Sequence, residues 1–213
     1  MFIETIKRRL IDSRSPLWQI VKKLRNYRNC MVENGARFRN SIVVNCGGNN
    51  RITVGHGASV SGCKFVFDGS DNAVEIGEKV VATNVLFYFS GEKNAVIIGE
   101  GTTFTDKTEF SLCEGTRIVI GKDCMFAYDI FVRTSDFHSI TDEKGERVNQ
   151  SQDIIIGNHV WIGQGAYLLK GTIIPDNCIV GARALVSKPF RDTQSIIAGI
   201  PAKVVKENVH WSR

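Results

Sequence analysis

The chain carries a repeat whose period rules out most folds. Aliphatic residues open the segments "VENGAR" at Val32, "VGHGAS" at Val54, "IGEKVV" at Ile76, "IGEGTT" at Ile98 and "IGKDCM" at Ile120, each 22 residues after the last. The next such opening, "IGNHVW" at Ile156, comes 36 residues later, and from there the beat is six: Ile162, Leu168, Ile174, Val180, Val186. The second residue of a unit is usually glycine, as at Gly55, Gly77, Gly99, Gly121, Gly157, Gly163 and Gly181. The fifth is small or β-branched, as at Ala58, Thr102, Cys124, Ala166 and Cys178. A beat of six is incompatible with an amphipathic helix, whose apolar stripe recurs near every 3.6 residues. It suits short strands joined by tight turns, with glycine relaxing the backbone at the corners. Three units make one triangular coil, and stacked coils make parallel sheets with strands about 4.8 Å apart and aliphatic ladders inside. The 22-residue coils carry four residues more than three units of six. The segments "DGSDNA", "SGEKNA" and "CEGTRI" predict that this surplus is one corner drawn out into a polar ridge.

The beat fails once. Units from Ile120, Phe126 and Val132 fill one coil, and the next start falls on His138; in frame beyond it stand Lys144 and Gln150, which cannot serve as core aliphatics. Residues 138–155 are therefore expected to leave the coil and to rejoin at "DIIIG", with 138–153 as a protruding loop. A loop on a rigid frame can close over a cleft or reach a neighbour. Histidine is the side chain whose ordinary pKa suits general-base work near neutral pH, and Asp136 lies two residues before it, where it could orient the imidazole.

Charge is concentrated outside the repeat. Residues 1–29 hold eight Lys/Arg and two Asp/Glu, while the remainder holds 19 and 20, so the net charge of +5 is no basic surface spread over the whole fold and gives no ground for a nucleic-acid partner. In that segment Phe2, Ile3, Ile6, Leu10, Leu17, Ile20, Val21 and Leu24 fall at helical spacing. Two readings stay open: a helical cap over the end of the solenoid, or a basic amphipathic segment that touches an anionic membrane surface or polymer. No apolar run has the length of a membrane span and no signal-peptide core is seen, so a cytoplasmic location is expected. The six cysteines form no CxxC pair and no zinc spacing, and read as small buried thiols.

The pattern resembles the hexapeptide-repeat family over residues 30–205, which leaves 206–213 as a carboxyl-terminal tail. The resemblance implies a left-handed parallel β-helix; the winding comes from the family and not from the repeat, since parallel crossovers are generally right-handed. "IIIGNHVWIGQGAYLLKGTIIPDNCIVGARALVSKPF" and "SIIAGIPAKVVKE" look like the carboxyl-terminal signature of the family's O-acetyltransferases. That likeness implies a homotrimer that takes acetyl-CoA as donor and a saccharide as acceptor, with His138 as catalytic base and Trp161 beside the reacting groups. It also implies a donor path past Gln164, Ala182, Ser187 and Lys188, with Lys203 and Lys206 at the phosphate end. Asp106, Lys107 and Glu109, one coil before His138, are expected to face an extended acceptor, a capsule, O-antigen or similar surface glycan. No Ser or Cys stands in a nucleophile setting, so direct transfer is expected. A γ-type carbonic anhydrase shares the fold and binds zinc through three histidines, but His138 and His159 lack a clear third partner, so no metal is expected. The rival readings are N-acetylation of an amino-sugar, acetylation of a small acceptor such as serine, and a non-catalytic binding solenoid.

Overall fold

The computed structural model describes residues 30–213. The repeat folds as expected into a left-handed parallel β-helix of about seven coils, all β among the described residues. The N-terminal segment 1–29, with its expected helices, lies outside the described residues.

Each coil contributes one strand to each of three faces. The first face stacks Cys30–Val32, Arg51–Val54, Ala73–Ile76, Ala95–Ile98, Arg117–Ile120, Ile154–Ile156 and Ile173–Ile174 in parallel register, with Ile98 opposite Ile76 on one side and Ile120 on the other. The second face runs from Arg37–Arg39 through Ser59–Ser61 and Val81–Thr83 to Trp161–Ile162 and Ile179–Val180. The third holds Ile42–Asn45, Lys64–Asp68, Leu86–Ser90, Tyr167–Leu169 and Leu185–Val186. In the fourth and fifth coils, Thr103–Cys113 and Met125–Arg133 continue unbroken from the second face to the third. Alternate residues point inward, as the pleat requires: Val54, Ile76, Ile98, Ile120, Ile156 and Ile174 are all buried.

Only part of the surplus in the 22-residue coils becomes a ridge. In two of these coils the third-face strand, Lys64–Asp68 or Leu86–Ser90, is five residues long and adds a second inward residue, Phe67 or Phe89. Phenylalanine fills the wider coils: Phe65 stacks on Phe87 at 4.7 Å and Phe67 on Phe89 at 4.9 Å, in the offset-parallel range for aromatic pairs. At the corner that follows, Asn50, Asn72 and Asn94 are buried one above the other. Asn72 Oδ1 accepts from the Asn94 backbone N–H at 3.0 Å and from Asn94 Nδ2 at 2.9 Å, and Asn50 Oδ1 serves Asn72 in the same way.

The second-position glycines act differently from the expectation. Gly99 and Gly121 do not adopt positive φ, but a Cβ on Gly99 would lie 2.5 Å from the carbonyl carbon of Gly121, and one on Gly121 would lie 2.5 Å from the oxygen of Gly157. Glycine is there because successive coils touch through it. The left-handed conformation falls two residues later, on Lys79, Asp123, His159 and Arg183 among others.

After the last full coil, Ile196–Gly199 pairs antiparallel with Ala202–Lys206 and closes the stack. The tail beyond folds back along the second face. Trp211 stacks on His159 with centroids 4.1 Å apart, and Arg213 donates to Asp123 Oδ1 at 3.0 Å and to the Cys124 carbonyl at 2.9 Å. Of the cysteines, Cys63, Cys124 and Cys178 are buried as expected, and burial pushes the first two thiols up to about 11. Cys46 is exposed, contrary to the reading of all six as buried.

Candidate active site

The excursion begins where Met125–Arg133 ends and rejoins at Ile154, so the chain leaves the coil at residue 134 and His138 stands four residues beyond that point. Thr134 and Ser135 remain buried at the root. The loop is tied down by a side chain that the sequence reading passed over. Asn149, 7% exposed, donates from Nδ2 to the His138 carbonyl and to Asp136 Oδ2, both at 2.8 Å, and its Oδ1 accepts from the Ile140 backbone N–H at 2.7 Å. Arg147 adds an ion pair to Glu114 at 2.7 Å.

Asp136 is occupied by other partners than the imidazole. Its Oδ2 accepts from Lys170 Nζ at 2.5 Å as well as from Asn149, and these bonds, Lys170 first, hold the carboxyl below the usual aspartate range. Its place is in the loop's anchor, with Lys170 reaching over from the next coil.

The exposed His138 lines an elongated cavity of about 460 Å3 on the third face. From Val44 in the first coil the cavity passes Lys64 and Val66, then Tyr88, then Glu109, and ends at Arg133, Asp136 and His138 in the fifth. Glu109 therefore faces it as expected, paired with Arg133 at 3.1 Å and accepting from Ser111 Oγ at 2.8 Å. Asp106 and Lys107 do not line it; they sit on the corner between the second and third faces, where Asp106 accepts from Asn84 Nδ2 at 2.8 Å.

A second hollow, about 520 Å3, lies from the fifth coil downward at the edge of the third face, on its corner with the second. Asp129, Phe131, Gln164, Tyr167, Arg183 and Ile200 border it. Gln164 and Ala182 stack on successive coils as expected: a Cβ on Gly163 would press on the Ala182 nitrogen, and the Arg183 N–H donates to the Gln164 carbonyl at 2.8 Å. Ser187, Lys188, Lys203 and Lys206 are exposed but do not line the hollow: Ser187 and Lys188 follow Leu185–Val186 toward the first face, with Lys188 Nζ 5.4 Å from the Phe190 ring centroid, and Lys203 and Lys206 stand on the terminal strand that extends the second face. The two cavities share no lining residue but border the same strand, Met125–Arg133. Phe131 borders the hollow and Arg133, two residues on and facing the same way, borders the groove that His138 lines. A molecule lying along the lower coils and another along the upper coils would thus come together beside the excursion.

Trp161 is on a different face. It projects from the second face between Met125 and Ile179, 37% exposed, with the Trp211 ring 6.1 Å away. Within one protomer it does not share the His138 cavity, so the two could act together only across a subunit boundary. His159 is engaged: Nδ1 lies 2.7 Å from Asp123 Oδ2 and Nε2 lies 3.2 Å from the Trp211 carbonyl, two acceptors of which a neutral ring can donate to one at a time. Trp211 and Arg213 were missed, since aromatic and basic residues after the last repeat unit carry no periodic signal.

Residues 153–188 match the family model described as bacterial transferase hexapeptide (six repeats). Over 93 residues the chain is 38% identical to a polysialic acid O-acetyltransferase of Neisseria meningitidis, an alignment spanning 43% of this chain and 43% of that protein, less than half the length of either. The structure is similar to that of the polysialic acid O-acetyltransferase OatWY, with a TM-score of 0.83 and 32% identity over 86% of this chain and 87% of that one. It also resembles the polySia-specific acetyltransferase NeuO, with a TM-score of 0.61 and 26% identity over 90% and 85% of the two chains.

Proposed function

Because the chain belongs to the hexapeptide-repeat acyltransferases, in their O-acetyltransferase branch, we propose that it transfers an acetyl group from acetyl-CoA to a hydroxyl of an acidic surface glycan. The observation that carries this reading is that two cavities, one of them lined by His138, border a single strand. In this reading the donor lies in the lower hollow past Gln164 and Arg183, with Ala182 stacked beneath Gln164, and the exposed Lys188, Lys203 and Lys206, outside the hollow, are proposed to reach its phosphates, a pairing that charge-assisted hydrogen bonds favour. The acceptor lies in the upper groove. The names of the relatives, both polysialic acid O-acetyltransferases, support an anionic saccharide there.

His138 takes the proton of the acceptor hydroxyl as that oxygen attacks the thioester carbonyl. The carbonyl π pair moves to oxygen, and backbone N–H groups at the coil corners stabilise the resulting oxyanion. Collapse re-forms the carbonyl and breaks the C–S bond, and the proton on His138 passes to the departing sulfur, which leaves as free thiol. Transfer is direct, without an acyl-enzyme: no cysteine lines either cavity, and the Cys63 and Cys124 thiols are buried and held protonated, unsuited to attack. In this proposal the working enzyme is a cytoplasmic homotrimer. Exposed Ile155, Trp161, Tyr167 and Ile173 on the lower coils supply apolar contact between subunits, and a neighbour brings its Trp161 to the site.

The test is product analysis after incubation with acetyl-CoA and polysialic acid. We expect a mass gain of one acetyl per modified sugar that mild base removes, as it removes an ester. A base-resistant acetyl group would mean N-acetylation, and CoA binding with no acetylation of any acidic glycan would mean a binding protein.

A further inference from the structure

The upper groove extends far beyond the space that one reacting sugar needs. From Lys64 the third-face register steps through Leu86 to Glu109 and on to the coil that carries His138. At about 4.8 Å per coil, three steps separate Lys64 from the base by roughly 14 Å, longer than any single pyranose unit. The cationic side chains along this groove are not equivalent. Arg133 is neutralised by Glu109. Lys64 has no such partner: among the described residues its ammonium makes no ion pair and no hydrogen bond, while it is half-buried against the groove wall with Val44, Val66 and Leu86. That burial pushes its pKa below the ordinary lysine value. A cation held partly out of water without a counter-charge is costly unless a ligand supplies one.

We propose that Lys64 forms a distal subsite that binds the carboxylate of a sugar unit several residues away from the one acetylated, so that the enzyme selects an oligomeric acidic glycan over a monomer. This rests on the proposed function for the position of the reacting unit. Leu86 and Tyr88 on the next coil, with Val66 beside Lys64, give the intervening sugar rings an apolar surface to lie on. The reader at Lys64 and the base at His138 then act as a ruler: an acceptor too short to span them loses the distal contact.

The experiment uses sialic acid oligomers from the monomer to the hexamer, a carboxyl-reduced hexamer as the uncharged control, and the variants Lys64→Met and Lys64→Arg. For the wild type, KM is expected to fall once the oligomer spans the groove. Lys64→Met should raise KM for the hexamer about tenfold, the worth of one charge-assisted contact, with kcat, the monomer KM and the reduced-hexamer KM unmoved. Lys64→Arg should restore most of the loss. Equal effects of Lys64→Met on every length, or none on any, would overturn the subsite and leave the acetylation reading standing. Calorimetric binding of the same oligomers separates the two ideas: length-dependent binding that Lys64→Met abolishes, in a protein that acetylates nothing, keeps the subsite and removes the reading. Absence of both binding and turnover removes both.

Discussion

The carbonyl of His138 is gripped by Asn149, and Asn149 is gripped in turn by Asp136, Ile140 and Arg147. Fixing the main chain at the base and leaving its ring in the cavity is how a rigid frame presents a proton acceptor without burying it. The sequence pointed to His138 because it stands where the aliphatic beat fails. It could not point to Asn149 or Lys170, since a loop's internal hydrogen bonds leave no periodic trace and Lys170 belongs to the next coil. Asp136 was legible as a partner of the site, but its carboxylate goes to Lys170 and not to the imidazole. This anchor makes a pH prediction. The Asp136 carboxyl is held below its ordinary value in the fold, so its contribution is present above the unfolded carboxylate pKa, about 3.9, and is lost as pH falls through the lower folded value. Hydrogen exchange should therefore show the 134–153 excursion losing protection in acid before the coils do. Lys170→Met should weaken that protection already near neutral pH and reduce its acid dependence, leaving the part that Asn149 on Asp136 and the Arg147–Glu114 pair supply. An excursion equally protected in both proteins throughout would show that the pair anchors nothing.

At the scale of the element, each coil is legible and each corner is only partly so. Inward positions read directly from the sequence, because a buried ladder demands an aliphatic or aromatic residue at every step. What glycine does at a corner did not read correctly: close approach and positive φ both favour glycine, and only the neighbouring coil separates them. The asparagine ladder was visible in principle, since Asn50, Asn72 and Asn94 recur every 22 residues. It was absorbed into turn chemistry because asparagine is common in turns. Its physical role is to satisfy the backbone N–H groups of Asn72, Asn94 and Thr116 inside a corner that water does not reach. Replacing Asn72 with leucine removes the acceptor for the Asn94 N–H and leaves the Gly91 carbonyl without its side-chain donor. Denaturant unfolding should show a loss of about 2–4 kcal/mol, one to two buried hydrogen-bond deficits. A variant as stable as the parent would mean that the corner relaxes and rehydrates at no cost.

For the whole molecule, the third face divides by coil width. The wide, phenylalanine-filled upper coils carry the long groove, and the narrow six-residue units of the lower coils carry the hollow past Gln164 and Arg183. The change of period from 22 to 18 thus separates the proposed acceptor half from the proposed donor half, and the excursion with His138 lies at the change. The sequence showed the change of period and the excursion, but not that both cavities border one strand, because the repeat does not say which corner borders a ligand. Nor did it show that Trp161 lies on another face of the protomer. The central claim is that the break in the repeat exists to present a base where donor and acceptor meet. The direct measurement is single-turnover acetyl transfer to polysialic acid by His138→Ala, alongside its Kd for CoA. A wild-type Kd is expected, with transfer slowed about 10²–10⁴-fold, the usual worth of a general base. Transfer at the wild-type rate would contradict it and return His138 to the rank of an exposed loop residue.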